Sequence, residues 1–428
     1  MIRILVVNEV SPQKKNRTSI LFEKVIPILL KKNEIKVFWL SYDYKKNEKS
    51  VDSWYELLHV HEFKNAKEVI EFTKPDLIYV FPGLSIIDYA FLLTARVLKI
   101  PTFGFIDGIG VFTQSKGRHV KKVLKIFTNE IFVKKKIDEN NSEFRGTSYF
   151  KKNLFLIRSM RKIGNSYQHI IIEIIKNFKL YFNYKFQENE KHTRFNCNLL
   201  LIENELSVNY ACNLGLSKNN IKVVGDPTYD LAFDEKYVEE EIESNRKINV
   251  LFITTNFNGG QGELEWSVQK QKQMIKELAE EYEKNKEKIS LKIKIHPVSE
   301  NYKDYEKILD GYNSNIEIFQ HQNIFKLIKD ADMIICPSAS TAGLIALIMK
   351  KPIVVWNYFN IQGDVFLKEK ITMNCNKISE IKACIDNRIK FIQENEVIID
   401  NYIKKYCGEG NASQKCADAI YELILKSK

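Results

Sequence analysis

The sequence predicts an α/β protein with two domains, each built around a parallel β-sheet that is covered by helices. Strand and helix patterns alternate in both halves of the 428-residue chain, and a basic segment interrupts the first of these runs. The hydrophobic content of 44% is ample for packed cores and argues against global disorder. A chain of this length usually forms two domains of about 200 residues each.

The first domain is predicted over residues 1–230, where apolar runs typical of buried strands alternate with helical spacing. Residues 116–192 lack this alternation and predict a basic, helical insertion. The predicted strands are Ile2–Asn8, Ile35–Leu40, Leu77–Phe81, Pro101–Ile106, Leu199–Glu203 and Ile221–Val224, and the predicted helices are Ile20–Lys31, Ala66–Thr73 and Asp88–Leu98.

A polar, acidic linker is predicted over residues 231–248, and a second α/β domain over 249–395. Helices within residues 396–428 close the chain and are expected to pack back toward the first domain. The predicted strands of the second half are Asn249–Thr254, Leu291–Ile295, Ile316–Phe319, Met333–Cys336 and Ile353–Trp356, and its long helices are Trp266–Lys288, Ile378–Tyr406 and Ala412–Lys426.

The positive charge of the chain is concentrated in the insertion. Residues 116–192 contain 18 Lys and Arg against 7 Asp and Glu, an excess equal to the net charge of +11 for the whole chain. Such a segment is a solvated helical face, a nucleic-acid surface, or a surface for an anionic membrane or an anionic acceptor. No recognised nucleic-acid module is present, so nucleic acid is not an expected partner. The expected partner of this segment is an anionic membrane surface.

The cysteines and the apolar runs indicate the compartment. The seven cysteines are scattered without a CxxC pair, which is typical of free thiols in a reducing compartment. The chain starts with a predicted strand, and no apolar run approaches the roughly 20 residues of a membrane span. The sequence therefore predicts a cytoplasmic protein, peripheral to the inner face of the cell membrane.

Hydroxyl residues follow a buried strand in the second half. The strand Met333–Cys336 precedes Ser338, Ser340 and Thr341, and an apolar helix begins there. In a parallel sheet this cluster lies at the carboxyl edge, where free N–H groups and the helix dipole favour a phosphate. A plain helix cap is the alternative, although the following Gly343 favours a ligand.

His296 and Pro297 follow another strand of the same predicted sheet. A histidine at this edge can donate a hydrogen bond to a phosphate or act as a general acid near neutral pH. A turn histidine without function is the alternative. Because the carboxyl ends of parallel strands meet at one edge, we expect His296 and the hydroxyl cluster to share one phosphate.

Two further patterns involve an aspartate and glycines. Asp107 follows the strand Pro101–Ile106 and is either a general base or part of an Asp-Gly turn. Gly259 and Gly260 cradle a phosphate or form a hinge, and Gly225 ends a strand at the domain edge. The Lys-Ser/Thr of a P-loop is missing. Asp330 and Asp332 are interpreted as structural, so neither a dedicated metal site nor a cofactor is expected.

Taken together, these patterns resemble the GT-B glycosyltransferase superfamily, in particular its bacterial surface-polysaccharide branch. The resemblance rests on VVGDPTYD (Val223–Asp230), KIHP (Lys294–Pro297) and CPSAST followed by KKPIVVW (Cys336–Trp356), and it covers most of residues 221–420. The branch includes the sialyltransferase and polysialyltransferase families, the Kdo transferases and the CDP-glycerol glycerophosphotransferases.

The resemblance implies two Rossmann-like domains facing across a cleft, with the nucleotide on the second. It implies an inverting, metal-independent transfer from a nucleotide-sugar to a saccharide or lipid-linked acceptor. In this chain Asp107 would be the general base, and His296 with Ser338, Ser340 and Thr341 would hold the phosphate. Pro297, Gly225, Gly259 and Gly260 complete the expected phosphate-binding set.

Two departures from the family pattern leave the donor open. Ile106 stands where sialyltransferases have an acidic residue, and the helix after Thr341 has no glutamate. A CMP-activated acidic sugar is therefore one candidate donor among several. The alternatives are a UDP-N-acetylglucosamine 2-epimerase-like enzyme, a glycerophosphotransferase-like enzyme, and a non-catalytic polysaccharide assembly protein.

Overall fold

Parallel pairing organises all of the strands that the structure describes. The computed structural model describes residues 1–9, 11–14, 17–42, 54–81, 85–106, 149–183, 196–213, 215–234, 246–255, 268–297, 300–312, 316–361 and 364–427. These residues form a seven-stranded sheet and a six-stranded sheet, each with helices between its strands. The predicted α/β class is thereby confirmed.

The two sheets have similar strand orders. The first is β3-β2-β1-β4-β5-β6-β7 and the second is β10-β9-β8-β11-β12-β13. The strands are β1 (Ile2–Asn8), β2 (Ile35–Ser41), β3 (Tyr55–His59), β4 (Leu77–Tyr79), β5 (Thr102–Ile106), β6 (Leu199–Ile202), β7 (Ile221–Val223), β8 (Ile248–Ile253), β9 (Ile289–Lys294), β10 (Glu317–Phe319), β11 (Met333–Cys336), β12 (Ile353–Trp356) and β13 (Met373–Cys375).

The helices are numbered along the described residues. They are α1 (Arg17–Leu30), α2 (Ala66–Thr73), α3 (Ile86–Val97), α4 (Tyr149–Lys162), α5 (Tyr167–Asn183), α6 (Glu205–Asn213), α7 (Asp230–Asp234), α8 (Val268–Asn285), α9 (Tyr302–Leu309), α10 (Ile324–Lys329), α11 (Thr341–Ile348), α12 (Val365–Lys368), α13 (Ile381–Tyr406) and α14 (Ala412–Ser427). None of these helices is both long and apolar enough to cross a membrane.

The chain divides into two compact units. The first contains the described residues up to Thr228 together with those from Asn411 onward, and the second contains Tyr229–Gly410. Of the two closing helices, α13 therefore lies in the second unit and α14 in the first. In the first unit, α14 packs on α1 and adds Cys416, Ile420 and Ile424 to the core.

Continuous burial explains the most clearly predicted strands. Every residue of β11 and of β12 is buried, because helices cover both faces of a parallel sheet. Both strands begin and end at the predicted residues. The sequence pattern misses β3 (YELLH) and β13 (MNC), since both contain polar residues and neither is buried along its whole length.

The described part of the predicted insertion is helical. It consists of α4 and α5, and α4 packs on α2 and α3 of the first unit. The hydroxyl of Ser159 in α4 accepts a hydrogen bond from the backbone N–H of Ala66 at 2.9 Å. The rest of the segment 116–192 lies outside the described residues.

Candidate functional site

The carboxyl edge of the second sheet brings several predicted residues into one region. Strand order reverses between β8 and β11, and ligands of open α/β sheets bind at such a switch point. Thr254 directly follows β8, and Ser338 follows β11 by two residues. His296 lies two residues beyond β9, the other neighbour of β8, so it is about two strand spacings, roughly 10 Å, from the hydroxyl turn.

The backbone N–H of His296 forms hydrogen bonds with Thr254 and Glu300. It donates to Thr254 Oγ1 at 3.0 Å and to Glu300 Oε2 at 2.6 Å. Gln320, directly after β10, donates from Nε2 to the backbone oxygen of Glu300 at 2.8 Å. The His-Pro turn is therefore tied to the ends of both strands that flank β9.

Glu300 is the centre of this network. Besides the N–H of His296, its carboxylate accepts hydrogen bonds from the side chains of Thr254, Gln271 and Tyr305. Burial raises the pKa of Glu300, although these hydrogen bonds favour the ionised form and work against that shift. A carboxylate shared by four donors fixes the shape of the turn.

A buried lysine lies beneath the turn. Lys294 is 7% exposed, and its Nζ donates to the backbone oxygens of Ile295 and Gln320, each at 2.8 Å. Burial lowers the pKa of Lys294. Burial, and then the charge of Lys294, lower the pKa of His296 below its usual value. This shift favours the neutral imidazole, which has one N–H donor and one acceptor nitrogen.

The three hydroxyls of the turn after β11 have different environments. Ser340 caps α11, and its Oγ accepts from the N–H of Gly343 at 3.1 Å. Ser338 is 3% exposed, and in the described chain its hydroxyl has no hydrogen-bond partner. Thr341 is exposed. A buried hydroxyl without a partner costs free energy unless a ligand or water completes it.

The expected set of free N–H groups at α11 needs a correction. The N–H of Ala339 donates to Asp364 Oδ2 at 2.7 Å, and the N–H of Gly343 is used by the Ser340 cap. Asp364 is 7% exposed, and its other oxygen accepts from the N–H of Phe366 at 2.9 Å. In the first turn of α11, the N–H groups of Thr341 and Ala342 have no acceptor within the helix. These two N–H groups are therefore the ones that the turn orients toward a ligand.

Gly343 has a packing role instead of the predicted link to a ligand. A Cβ atom at this position would lie 2.6 Å from Cε2 of Phe366. The glycine therefore allows α11 to approach the ring of Phe366, which is fully buried.

The remaining predicted residues lie elsewhere. Gly225 follows β7 in the first unit with a φ of +85°, a conformation that favours glycine. Pro297 is exposed beside His296. Asp107, Gly259 and Gly260 lie outside the described residues.

Asp332 forms two hydrogen bonds of 2.7 Å with Arg246 at the amino edge of the second sheet, which fits its structural interpretation. Across the described ranges, no group of three or more His, Cys, Asp and Glu could hold a metal ion.

Three residues of the site were not singled out from the sequence. Thr254 is a hydroxyl residue at the end of the predicted strand Asn249–Thr254, a signal similar to the one that identified Ser338. Glu300 lies four residues after His296 in a loop, and Asp364 lies in a segment without periodicity. The roles of Glu300 and Asp364 depend on contacts with other segments of the chain, so no local pattern could reveal these two residues.

One known protein family matches a segment of the second unit. A family model described as "Capsule polysaccharide biosynthesis protein" matches residues 235–365. This range includes His296, Glu300 and the turn of Ser338 and Ser340. A search of curated protein sequences found no match.

The solved structures that resemble the chain share its fold at low sequence identity. The wall teichoic acid polymerase TagF has a TM-score of 0.57 at 13% identity, over 99% of this chain and 89% of TagF. A putative UDP-N-acetylglucosamine 2-epimerase from Listeria monocytogenes has a TM-score of 0.52 at 12% identity, over 100% and 97%. The Neisseria meningitidis UDP-GlcNAc 2-epimerase, bound to UDP-GlcNAc, has a TM-score of 0.50 at 14% identity, over 100% of both chains. These matches confirm a GT-B fold with two Rossmann-like domains.

Proposed function

We propose that this protein is a glycosyltransferase of surface-polysaccharide synthesis that uses a nucleotide-activated sugar. The capsule-biosynthesis match includes the candidate site in the second unit, which supports this pathway. The observation that carries the proposal is the buried hydroxyl of Ser338, which has no partner in the described chain. It lies beside the first turn of α11 at the switch point of the sheet, where a phosphate oxygen would supply the missing acceptor.

In this proposal the nucleotide phosphate lies between the His296 turn and the start of α11. The neutral imidazole donates one hydrogen bond, and Ser338 with the N–H groups of Thr341 and Ala342 donates others. The hydroxyl oxygen of the acceptor attacks the anomeric carbon, the bond from that carbon to the phosphate oxygen breaks, and the configuration inverts. Preorganised donors at the leaving oxygen are typically worth about 10² to 10³ in rate each.

The proposal also assigns a general base and two candidate classes of donor. Asp107, which lies outside the described residues, would accept the proton of the attacking hydroxyl, and no metal ion is required in this scheme. A CMP-activated acidic sugar is one donor class. A TagF structure that resembles this chain was soaked with CDPG, so a CDP-activated polyol phosphate is a second class to test. With that donor the acceptor oxygen would attack the polyol-bearing phosphorus instead of an anomeric carbon, and CMP would leave.

A ligand screen followed by a product assay tests the proposal. A nucleotide that binds only the folded protein stabilises it by about 2.7 kcal/mol at a hundredfold excess over its Kd. We expect a rise in Tm with one of CMP, CDP, UDP or GDP, and transfer from the matching activated donor to a saccharide acceptor. Interconversion of UDP-sugars without an acceptor would instead identify an epimerase. Absence of nucleotide binding and of transfer would favour a non-catalytic assembly protein.

A further inference from the structure

Helix α5 exposes isoleucines that a soluble helix would normally bury. Tyr167, Ile171, Ile172 and Ile175 are 69%, 56%, 49% and 50% exposed. Their spacing places most of them along one side of the helix. We call these four residues the isoleucine face. α5 also turns Ile170 and Ile174 toward the core, as an amphipathic helix usually does, so the isoleucine face is a second apolar side of the helix that points to solvent.

The opposite side of α5 is buried, and it includes two polar residues that form hydrogen bonds. Glu173 is 4% exposed, and its Oε2 accepts a hydrogen bond from the Tyr89 hydroxyl at 2.9 Å. Asn177 is 2% exposed, and its Nδ2 donates to Asn153 Oδ1 at 3.4 Å. Rotating the isoleucines inward would break both contacts and leave Tyr89 and Asn153 without these partners. The hydrogen bonds therefore fix the isoleucine face outward.

Cations surround the isoleucine face. Arg161 and Lys162 end α4 just before it, and Lys176 follows Ile175. The guanidinium of Arg161 lies over the ring of Tyr167, at 5.4 Å from its centroid. Residues 149–183 contain seven Lys and Arg and one acidic residue, the buried Glu173. The Nζ of Lys176 also donates to Glu173 Oε1 at 2.8 Å, whereas Arg161 and Lys162 lie at the other end of the face. Exposed apolar side chains flanked by cations are typical of helices that lie in an anionic membrane interface.

The positive charge around the isoleucine face also distinguishes between the partners that could cover it. A twofold contact with a second copy would place the same cations opposite each other. The segment 107–148 of this chain carries nine Lys and Arg against five Asp and Glu, so its net charge has the same sign. We propose that the isoleucine face of α5 docks the protein onto a bilayer that contains anionic lipids. The helix would lie in the headgroup region and not span the bilayer.

Vesicle flotation tests this proposal, independently of any transferase activity. The full chain is mixed with vesicles of phosphatidylcholine alone or of phosphatidylcholine with phosphatidylglycerol. We expect binding to the anionic vesicles, and weaker binding at high salt. In the double variant Ile171→Ser and Ile175→Ser, the partition coefficient should fall about tenfold or more, because both side chains lose their apolar burial.

A matched control comes from the second unit. Val397 and Ile398 in α13 are 72% and 46% exposed, so Val397→Ser with Ile398→Ser removes a similar exposed apolar area elsewhere. This control should bind vesicles as the wild type does. Equal binding of the α5 variant and the wild type would overturn the proposal. Failure of the wild type to bind anionic vesicles would also overturn it. A lower Tm without a change in vesicle binding would instead show that the chain itself covers the face, and a dimer that the variant dissociates would show a second copy.

Discussion

The two turns at the carboxyl edge of the second sheet differ in how their polar groups are used. In the His296 turn, the backbone and Glu300 form a hydrogen-bond network with neighbouring strands. In the turn after β11, the hydroxyl of Ser338 is buried without a partner in the described chain. The difference teaches that hydrogen bonds within the chain hold the first turn in place, whereas in the second turn the hydroxyl of Ser338 has no acceptor among the described residues.

Removing the centre of the first turn gives the largest expected effect. Glu300→Ala leaves four donors without their shared acceptor, so we expect a loss of more than about 3 kcal/mol in the free energy of unfolding. Chemical denaturation followed by circular dichroism measures it. Glu306→Ala, at an exposed glutamate nearby, should have little effect. A stable Glu300→Ala protein would show that this network does not support the turn.

Replacing the imidazole itself should affect activity without affecting stability. The hydrogen bonds that fix this turn involve the N–H of His296, which His296→Ala retains. We expect turnover to fall by about 10² to 10³ and the Tm to stay close to that of the wild type. Steady-state kinetics with the donor found in the ligand screen measures the loss. Unchanged turnover would exclude His296 from the chemistry.

The second turn should respond in the opposite way. Ser338→Ala removes a buried hydroxyl without a partner, so the Tm should stay the same or rise. Nucleotide affinity should fall by up to about tenfold, since one hydrogen bond to the ligand is lost. Isothermal titration calorimetry measures the affinity.

Thr372 provides the matched control for Ser338. Its hydroxyl is also buried without a described partner, but it lies just before β13, at the amino edge of the sheet. Thr372→Val should therefore leave nucleotide affinity unchanged. If Ser338→Ala and Thr372→Val have the same affinity as the wild type, no ligand uses the hydroxyl of Ser338.

The smallest expected effect is the pH dependence of nucleotide binding. Burial and Lys294 lower the pKa of His296 in the free protein, whereas a bound phosphate would raise it. Between these two pKa values binding takes up a proton, so affinity should fall by a few-fold as the pH rises through that window. Because phosphates titrate in the same range, the measure is the difference between the wild type and His296→Gln. Identical pH profiles would mean that the imidazole does not face the phosphate.

Much of the fold could be predicted from local patterns, and part of the site could be as well. Parallel strands buried on both faces have continuous apolar sequences, so β11 and β12 were predicted with their observed ends. The hydroxyl residues after β11 were predicted to bind a phosphate, with a helix cap as the alternative, and Ser340 forms that cap. Gly343 was interpreted as a sign of a ligand, but a glycine is needed there because the ring of Phe366 packs against it. Phe366 is distant in the sequence, so no local pattern showed this contact.

The sequence by itself determined which segments become strands and where polar residues follow them, because burial on both faces of a sheet imposes an apolar run of limited length. Only the tertiary structure decided the order β9-β8-β11, which places Thr254 between the His296 turn and the hydroxyl turn. It also decided that Glu300 and Asp364 hold these two turns, and that α5 faces outward with its isoleucines. Hydrogen bonds between segments far apart in the chain carry no local signal, since each partner alone is an ordinary polar residue of a loop or helix.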